Sequence, residues 1–279
     1  MGNLLRMDLY RLIRSKSLYI CLAIICAFSV LGVVTIWYAN TPEFAELMTT
    51  SQYIAEDGAS VAFTMDESVS SADYSTLTLQ RLFGSIFVSG GLLTLLVSLS
   101  LVLFVGAEFD SGFVKNVLAA RRGRGAYFAS KTVLAVIFAL IFVLAASLVS
   151  LIGAIFVGVE IAFSAAEFFS WVSLLILAVA AYATISLFFV MFTKSKTAGI
   201  LAACMLSSSL LGLVASGIIG MFPNLVFLLD YTVYSGYQLL AIGLVSSESL
   251  GTVHIALVAG AYFVAFAALS YIGIRKKDI

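Results

Sequence analysis

Leu18 to Tyr38 reads LYICLAIICAFSVLGVVTIWY, 21 residues without a charge. A helix rises 1.5 Å per residue, and hydrocarbon about 30 Å thick takes roughly 20 apolar residues to cross. The run has that length. It exceeds the roughly 7–15 residues of a signal-peptide core, and its exit Trp37-Tyr38-Ala39 lacks the small residue two positions before a cleavage point. We read it as an anchor that stays. Working outward, six stretches qualify as spans: Ser17–Tyr38, Leu82–Gly106, Thr132–Val159, Phe168–Phe192, Ala198–Met221 and Thr252–Ile274. Lipid offers backbone N–H and C=O no partner, so helices are expected, and the ten-residue alternation of barrel strands is absent.

Composition agrees with that reading. The chain has 279 residues, 62% hydrophobic and only 11% charged, against roughly 45–50% and about 25% in soluble domains. Thirty charged residues cannot cover a water-soluble body of this size. The expectation is an all-α integral membrane protein with one transmembrane domain over residues 1–279.

The net charge of zero conceals a strong asymmetry. Arg6, Arg11, Arg14 and Lys16 crowd the N-terminus, and Lys115, Arg121, Arg122, Arg124 and Lys131 fill the loop between spans two and three. Lys194 and Lys196 follow span four, and Arg275, Lys276 and Lys277 follow span six. Of the 15 basic residues only Arg81 falls elsewhere. All four groups map to one side of six spans, so the positive-inside bias puts both termini in the cytoplasm of a plasma-membrane protein. Trp37, Tyr38, Tyr127, Phe128, Phe168, Phe169, Trp171 and Tyr271 lie near the expected boundaries, as a headgroup-level aromatic belt would.

Outside the spans the pieces differ in character. Residues 1–16 place Leu5, Leu9, Leu12 and Ile13 on one helical face, with Arg6, Asp8, Arg11 and Arg14 on the remainder. This reads either as a helix in the inner headgroup plane, its arginines on anionic lipid, or as a basic flank that sets topology. The outer loop 39–81 is acidic and too poor in large apolar residues for its own core. The segment 222–251 stays apolar yet neither half can cross; with Pro223 and Gly236 as breaks, it reads as a re-entrant helical hairpin beside a pathway. In span five Cys204, Ser208, Gly212, Ser216 and Gly220 recur every four residues. Small side chains so spaced let a second helix approach closely, from this subunit or from another copy.

Several functions are argued against by what is missing. No span has a charge near its middle, where ion-coupled transporters bind their driving ion. The hydroxyls of Ser98, Ser100, Ser147, Ser150, Thr184 and Ser186 mostly bond to their own helices at such sites. His254 is the sole histidine, so no H-E-x-x-H metal site exists. No G-x-S-x-G elbow or G-x-x-x-x-G-K-[ST] loop occurs. Cys21, Cys26 and Cys204 lack metal or redox spacing. The chain is expected to be no enzyme and to bind no cofactor, metal or nucleic acid itself.

The most informative segment is the inner loop 107–131. It runs Glu108-Phe109-Asp110-Ser111-Gly112-Phe113-Val114-Lys115-Asn116-Val117-Leu118-Ala119-Ala120-Arg121-Arg122-Gly123-Arg124 and on to Tyr127 and Ser130-Lys131. Glu108 and Asp110 are its acids, and Phe109, Phe113 and Val117 form an i, i+4, i+8 ridge. Such a ridge suits docking into a groove on a cytoplasmic partner; the alternative is a basic loop lying on anionic lipid.

Met1 to Lys16, as M-x-N-L-L-x-x-x-L-Y-R-L-x-R-S-K, resembles the opening of ABC-2 type permeases of Gram-positive bacteria. Glu108, Gly112, Lys115-Asn116, Leu118-Ala119, Arg124, Tyr127 and Ser130-Lys131 resemble their first cytoplasmic loop, nearest to the bacteriocin and lantibiotic self-protection branch or multidrug exporters. The departure falls in Arg121-Arg122, where that pattern carries glycine.

The resemblance implies an ABC-2, or type V, exporter fold. Two such permeases, identical or homologous, would sit on two copies of a cytoplasmic ATPase that supplies ATP and Mg. Glu108, Phe109, Asp110, Gly112, Phe113, Lys115 and Asn116 would form the coupling helix, beside an interfacial helix with Arg6, Arg11 and Arg14. The cargo would be amphipathic, a peptide, lipid or drug. The rival reading is an immunity or sensor protein that binds a peptide outside and transports nothing.

Overall fold

The computed structural model describes residues 2–39, 83–114, 117, 123–157, 165–208, 210–222, 227–242 and 251–276. Among them the regular elements are all helical. In chain order they are α1 (Gly2–Ile13), α2 (Lys16–Ala39), a π-helical turn (Gly84–Val88), α3 (Leu92–Asp110), α4 (Gly123–Val157) and α5 (Ala165–Thr193). Then follow α6 (Lys196–Ser207), α7 (Leu210–Gly220), α8 (Phe227–Asp230), α9 (Val233–Ile242) and α10 (Thr252–Lys276). Among the described residues five helices, α2, α3, α4, α5 and α10, are long and apolar enough to cross a membrane. This is a multi-pass membrane architecture.

The centre of the bundle is α3 and α5. In their most apolar stretches 67% and 72% of residues are buried, against 22% in α2 and 17% in α10. α5 packs on α3, α4, α6, α9 and α10, while α2 lies chiefly along α4. The two outlying helices therefore turn large apolar side chains outward, Ile20, Leu31 and Val34 from one, Leu257 and Val264 from the other. Lipid, or another apolar surface, has to meet them.

Contacts along the helices also gather the basic groups at one end. The side chain of Lys196, at the start of α6, lies against Gly106 near the end of α3. Tyr271 near the end of α10 meets the Phe128 ring of α4 at 5.8 Å. α1 closes at this same end, where the Ser15 hydroxyl donates to the Leu12 carbonyl at 2.8 Å. We call it the basic end, and the other the capped end.

Three expected spans have different limits. The run read as span two is interrupted: the π-helical turn is followed by Gly91 at φ +65°, and α3 begins one residue later and runs to Asp110. Span three starts at Gly123 rather than Thr132. The run read as span five is divided into α6 and α7, with Ser208 closing α6. Of the segment 222–251, where a re-entrant hairpin is expected, the described residues hold the short α8 and α9, with a turn at Tyr231-Thr232. Gly236 lies inside α9 and does not break it. Thr232 starts α9 instead, its Oγ1 accepting the Ser235 N–H at 3.2 Å as an N-cap. Pro223, residues 40–81 of the outer loop and Glu160 of the second outer loop lie outside the described residues.

The capped end is held by close backbone approaches. A Cβ on Gly91 would overlap the Ser207 carbonyl, and its left-handed φ disfavours any side chain there. A Cβ on Gly84 would overlap the Ala241 carbonyl, so α9 rests directly on the π-helical turn. Two aromatic donors secure this layer. Trp171 Nε1 of α5 donates to the Leu240 carbonyl at 3.0 Å, and the Tyr237 hydroxyl donates to the Phe87 carbonyl at 3.4 Å.

Candidate functional site

The site begins with three helix ends that meet at the basic end: α1, the last turn of α3 and the first turns of α4. Each brings a buried ionisable group. Asp8 of α1 is 1% exposed, Glu108 of α3 is 0% and Lys131 of α4 is 1%. A buried charge costs several kcal/mol unless it is paired and fully hydrogen-bonded. Here every one is paired.

Lys131 is the shared member. Its Nζ lies 2.9 Å from Asp8 Oδ1 and 2.7 Å from Glu108 Oε1. Arg11, one helical turn beyond Asp8, donates from Nη1 to the same Glu108 oxygen at 2.7 Å. The remaining carboxylate oxygens are also satisfied. The Tyr127 hydroxyl donates to Glu108 Oε2 at 2.8 Å, and the Ser130 hydroxyl donates to Asp8 Oδ2 at 2.7 Å. Two carboxylates thus face two cations, and the cluster carries no formal net charge.

Aromatic rings complete the enclosure. The Lys131 ammonium lies 5.2 Å from the Phe104 ring centroid and 5.1 Å from that of Tyr127. The Arg11 guanidinium lies 5.2 Å from Phe104 and 5.6 Å from Phe113. A cation over a ring face gains about 0.5–2 kcal/mol, more as water is excluded. The result is a knot that ties α1 to the basic ends of α3 and α4. Moving any of the three helices alone breaks a buried charge pair.

Glu108, expected in the coupling segment, is sealed between helices. Phe109, Phe113 and Val117 do not make one continuous ridge: α3 stops at Asp110, and Gly112 turns the chain at φ +69°. Phe109 and Val117 pack against the core, and Phe113 is half-buried under Arg11. Asp110 is exposed beside them. Lys115 and Asn116 lie outside the described residues.

α1 is likewise turned from the expected face. Asp8 and Leu12 are buried, Leu5 and Leu9 half-buried, and Ile13 is 61% exposed. The pull of Lys131 and Ser130 on Asp8 sets this rotation. Arg11 points into the knot, whereas Arg6 and Arg14 are exposed, Arg14 over the Tyr10 ring at 4.8 Å.

The small-residue stripe spans α6 and α7. Cys204 and Ser208 are exposed near the end of α6, Gly212 lies against the Tyr234 ring, and nothing lies within 4 Å of a Cβ on Gly220. Ser216 falls in α7 between them.

Sequence reasoning missed Asp8, Phe104, Tyr127, Ser130 and Lys131 as one site. A signal was present. Tyr127, Ser130, Lys131, Leu134, Ala135, Phe138 and Phe142 share one helical stripe, and all are buried. Extending span three toward its N-terminus would have placed Lys131 on the inward face. Among the described residues no group of three or more His, Cys, Asp or Glu could hold a metal ion. No protein-family model and no curated protein matches this chain.

Proposed function

We propose that this chain is the membrane-spanning permease subunit of an ATP-binding-cassette exporter. It moves an amphipathic peptide, lipid or drug outward, using ATP hydrolysed by a separate cytoplasmic ATPase. The observation that carries this reading is a coincidence of two independent selections of residues. Glu108, Tyr127, Ser130 and Lys131, with the N-terminal segment, carry the resemblance to ABC-2 type permeases. The same residues, with Asp8 and Arg11, form the buried knot.

The chemistry suits force transmission. A subunit driven from outside the membrane needs a rigid joint between the part that is pushed and the helices that move. A buried, fully paired charge cluster is such a joint, because each partial displacement exposes an uncompensated charge. In this reading the basic end is cytoplasmic, and exposed Asp110 with half-buried Phe113 meets the ATPase. α6 and α7 together make a broken fifth crossing, giving six. A second permease, identical or homologous, covers part of the outward apolar surface.

The test uses the full-length tagged chain purified from its native membranes into nanodiscs. The expected result is a stoichiometric ATPase partner whose hydrolysis is stimulated by an amphipathic substrate and falls at least several-fold with Asp110→Arg. Purification without any ATPase, together with peptide binding at the outer surface, would favour the immunity or sensor reading instead.

A further inference from the structure

We propose that the crevice between α2 and α4 binds a small uncharged molecule, mostly hydrocarbon, that carries one hydrogen-bonding oxygen, and that Ser29 holds this oxygen. The site stands apart from the exporter reading.

The crevice has a volume of about 280 Å³ and lies where α2 packs along α4. Shape closes its back: a Cβ on Gly153 would overlap the Val33 side chain, so the two helices touch there. Its mouth is formed by Val30, Val34, Ile152 and Phe156, the last 85% exposed. Both walls belong to helices long and apolar enough to cross a membrane, so the mouth opens sideways into lipid. No charged residue lines it.

One lining residue is polar. Ser29 is fully buried at the floor, and its hydroxyl has no hydrogen-bond partner. Both helices run from the basic end to the capped end, so Ser29, four residues before Val33, lies level with Ser150, three before Gly153. The Ser150 hydroxyl is also buried and unpaired. Other hydroxyls on the same two helices are satisfied locally. Thr35 donates to the Leu31 carbonyl at 2.8 Å, and Ser147 to the Val143 carbonyl at 2.7 Å. An unpaired polar group surrounded by hydrocarbon is costly, and a ligand that pairs it recovers that cost.

The walls select the occupant by elimination. Water requires two to four polar partners, and this lining offers a single polar side chain. A lipid tail gains little here, because the surrounding bilayer is as apolar as the valines. A helix of a second copy is about 10–12 Å across, too wide to enter. A charged molecule would meet no opposite charge. What bulk lipid cannot supply is a hydrogen bond. A serine hydroxyl turns about one bond and both donates and accepts, so an alcohol or ketone oxygen suits it. Size agrees as well, since small-molecule sites begin at roughly 300 Å³ and pair apolar walls with a few placed polar groups.

The experiment photolabels the full-length chain in phosphatidylcholine nanodiscs with octanol carrying a diazirine, and in parallel with the matching diazirine-bearing octane. The alcohol should label residues 29–34 and 149–156 saturably, and excess plain octanol should compete. The hydrocarbon should label the lipid-facing helices without saturating. Ser29→Ala, which removes only the hydroxyl, should weaken the saturable labelling about fivefold. Ile152→Trp fills the mouth from a side chain that is 54% exposed, and should abolish it. Equal labelling by the two compounds would assign the crevice to lipid tails and overturn the proposal. Undiminished alcohol labelling in Ser29→Ala would overturn it too, as would exclusion of both compounds by crosslinkable contact with a second copy.

Discussion

The basic end and the capped end are both close-packed, but different forces hold them. At the basic end three helices are joined by charges: Lys131 between Asp8 and Glu108, with Arg11 on the same carboxylate. At the capped end the contacts are of shape, Gly84 beneath the Ala241 carbonyl and Gly91 beneath that of Ser207, plus single aromatic hydrogen bonds. Charge pairing in a dry site is all-or-none, because removing one member leaves the others uncompensated. Shape contacts yield in proportion to the volume added. The same chain therefore has a stiff joint at one end and a deformable layer at the other.

The sharpest way to break this contrast is Lys131→Met. It leaves buried Asp8 without a cation and Glu108 with Arg11 alone, and should cost about 3–5 kcal/mol. Hydrogen exchange should show α1 losing protection while α9 keeps its own. Next in size is Gly84→Ala, whose new methyl must displace the Ala241 backbone, at about 1–3 kcal/mol. Exchange should then rise in α9 and leave α1 unchanged, the reverse pattern. Smallest is Arg11→Gln. The Arg11 side chain is 37% exposed, so water screens its pair with Glu108 and the loss should be about 0.2–1 kcal/mol. That loss should shrink as salt is raised, whereas the Lys131→Met effect should not, since buried pairs are little screened.

Much of the architecture could be read from the amino-acid order. Apolar run length is a direct measure of crossing, and α2, α5 and α10 lie within a few residues of the expected spans. The failures have a physical pattern. Gly90-Gly91 lies inside an apolar run, and hydropathy counts it as span although the pair frees the backbone to turn. In the sixth run's predecessor, Ser207 and Ser208 likewise disappear into an average. Gly236 reads as a break, yet an isolated glycine in a helix costs only about 1 kcal/mol and is tolerated where neighbours pack around it.

The site was half legible. Glu108, Tyr127, Ser130 and Lys131 were singled out through resemblance, yet their mutual contact was not. A basic residue at a membrane boundary reads by default as a topology marker, and Asp8 reads as part of a solvated face. Only the meeting of α1 with α3 and α4, 97 residues further along the chain at the Arg11–Glu108 bond, turns these charges inward. Long-range pairing of this kind leaves no periodic trace within any one helix.

The central claim is that Asp8, Glu108 and Lys131 form one coupled unit, so that removing a single charge costs more than removing all three. The most direct measurement compares the thermal midpoint of Lys131→Met with that of the triple variant Asp8→Asn, Glu108→Gln, Lys131→Met. Removing the stranded charges should recover most of the loss, because the one charge left, Arg11, is 37% exposed and keeps access to water. A triple variant that unfolds at a lower temperature than Lys131→Met alone would contradict the account.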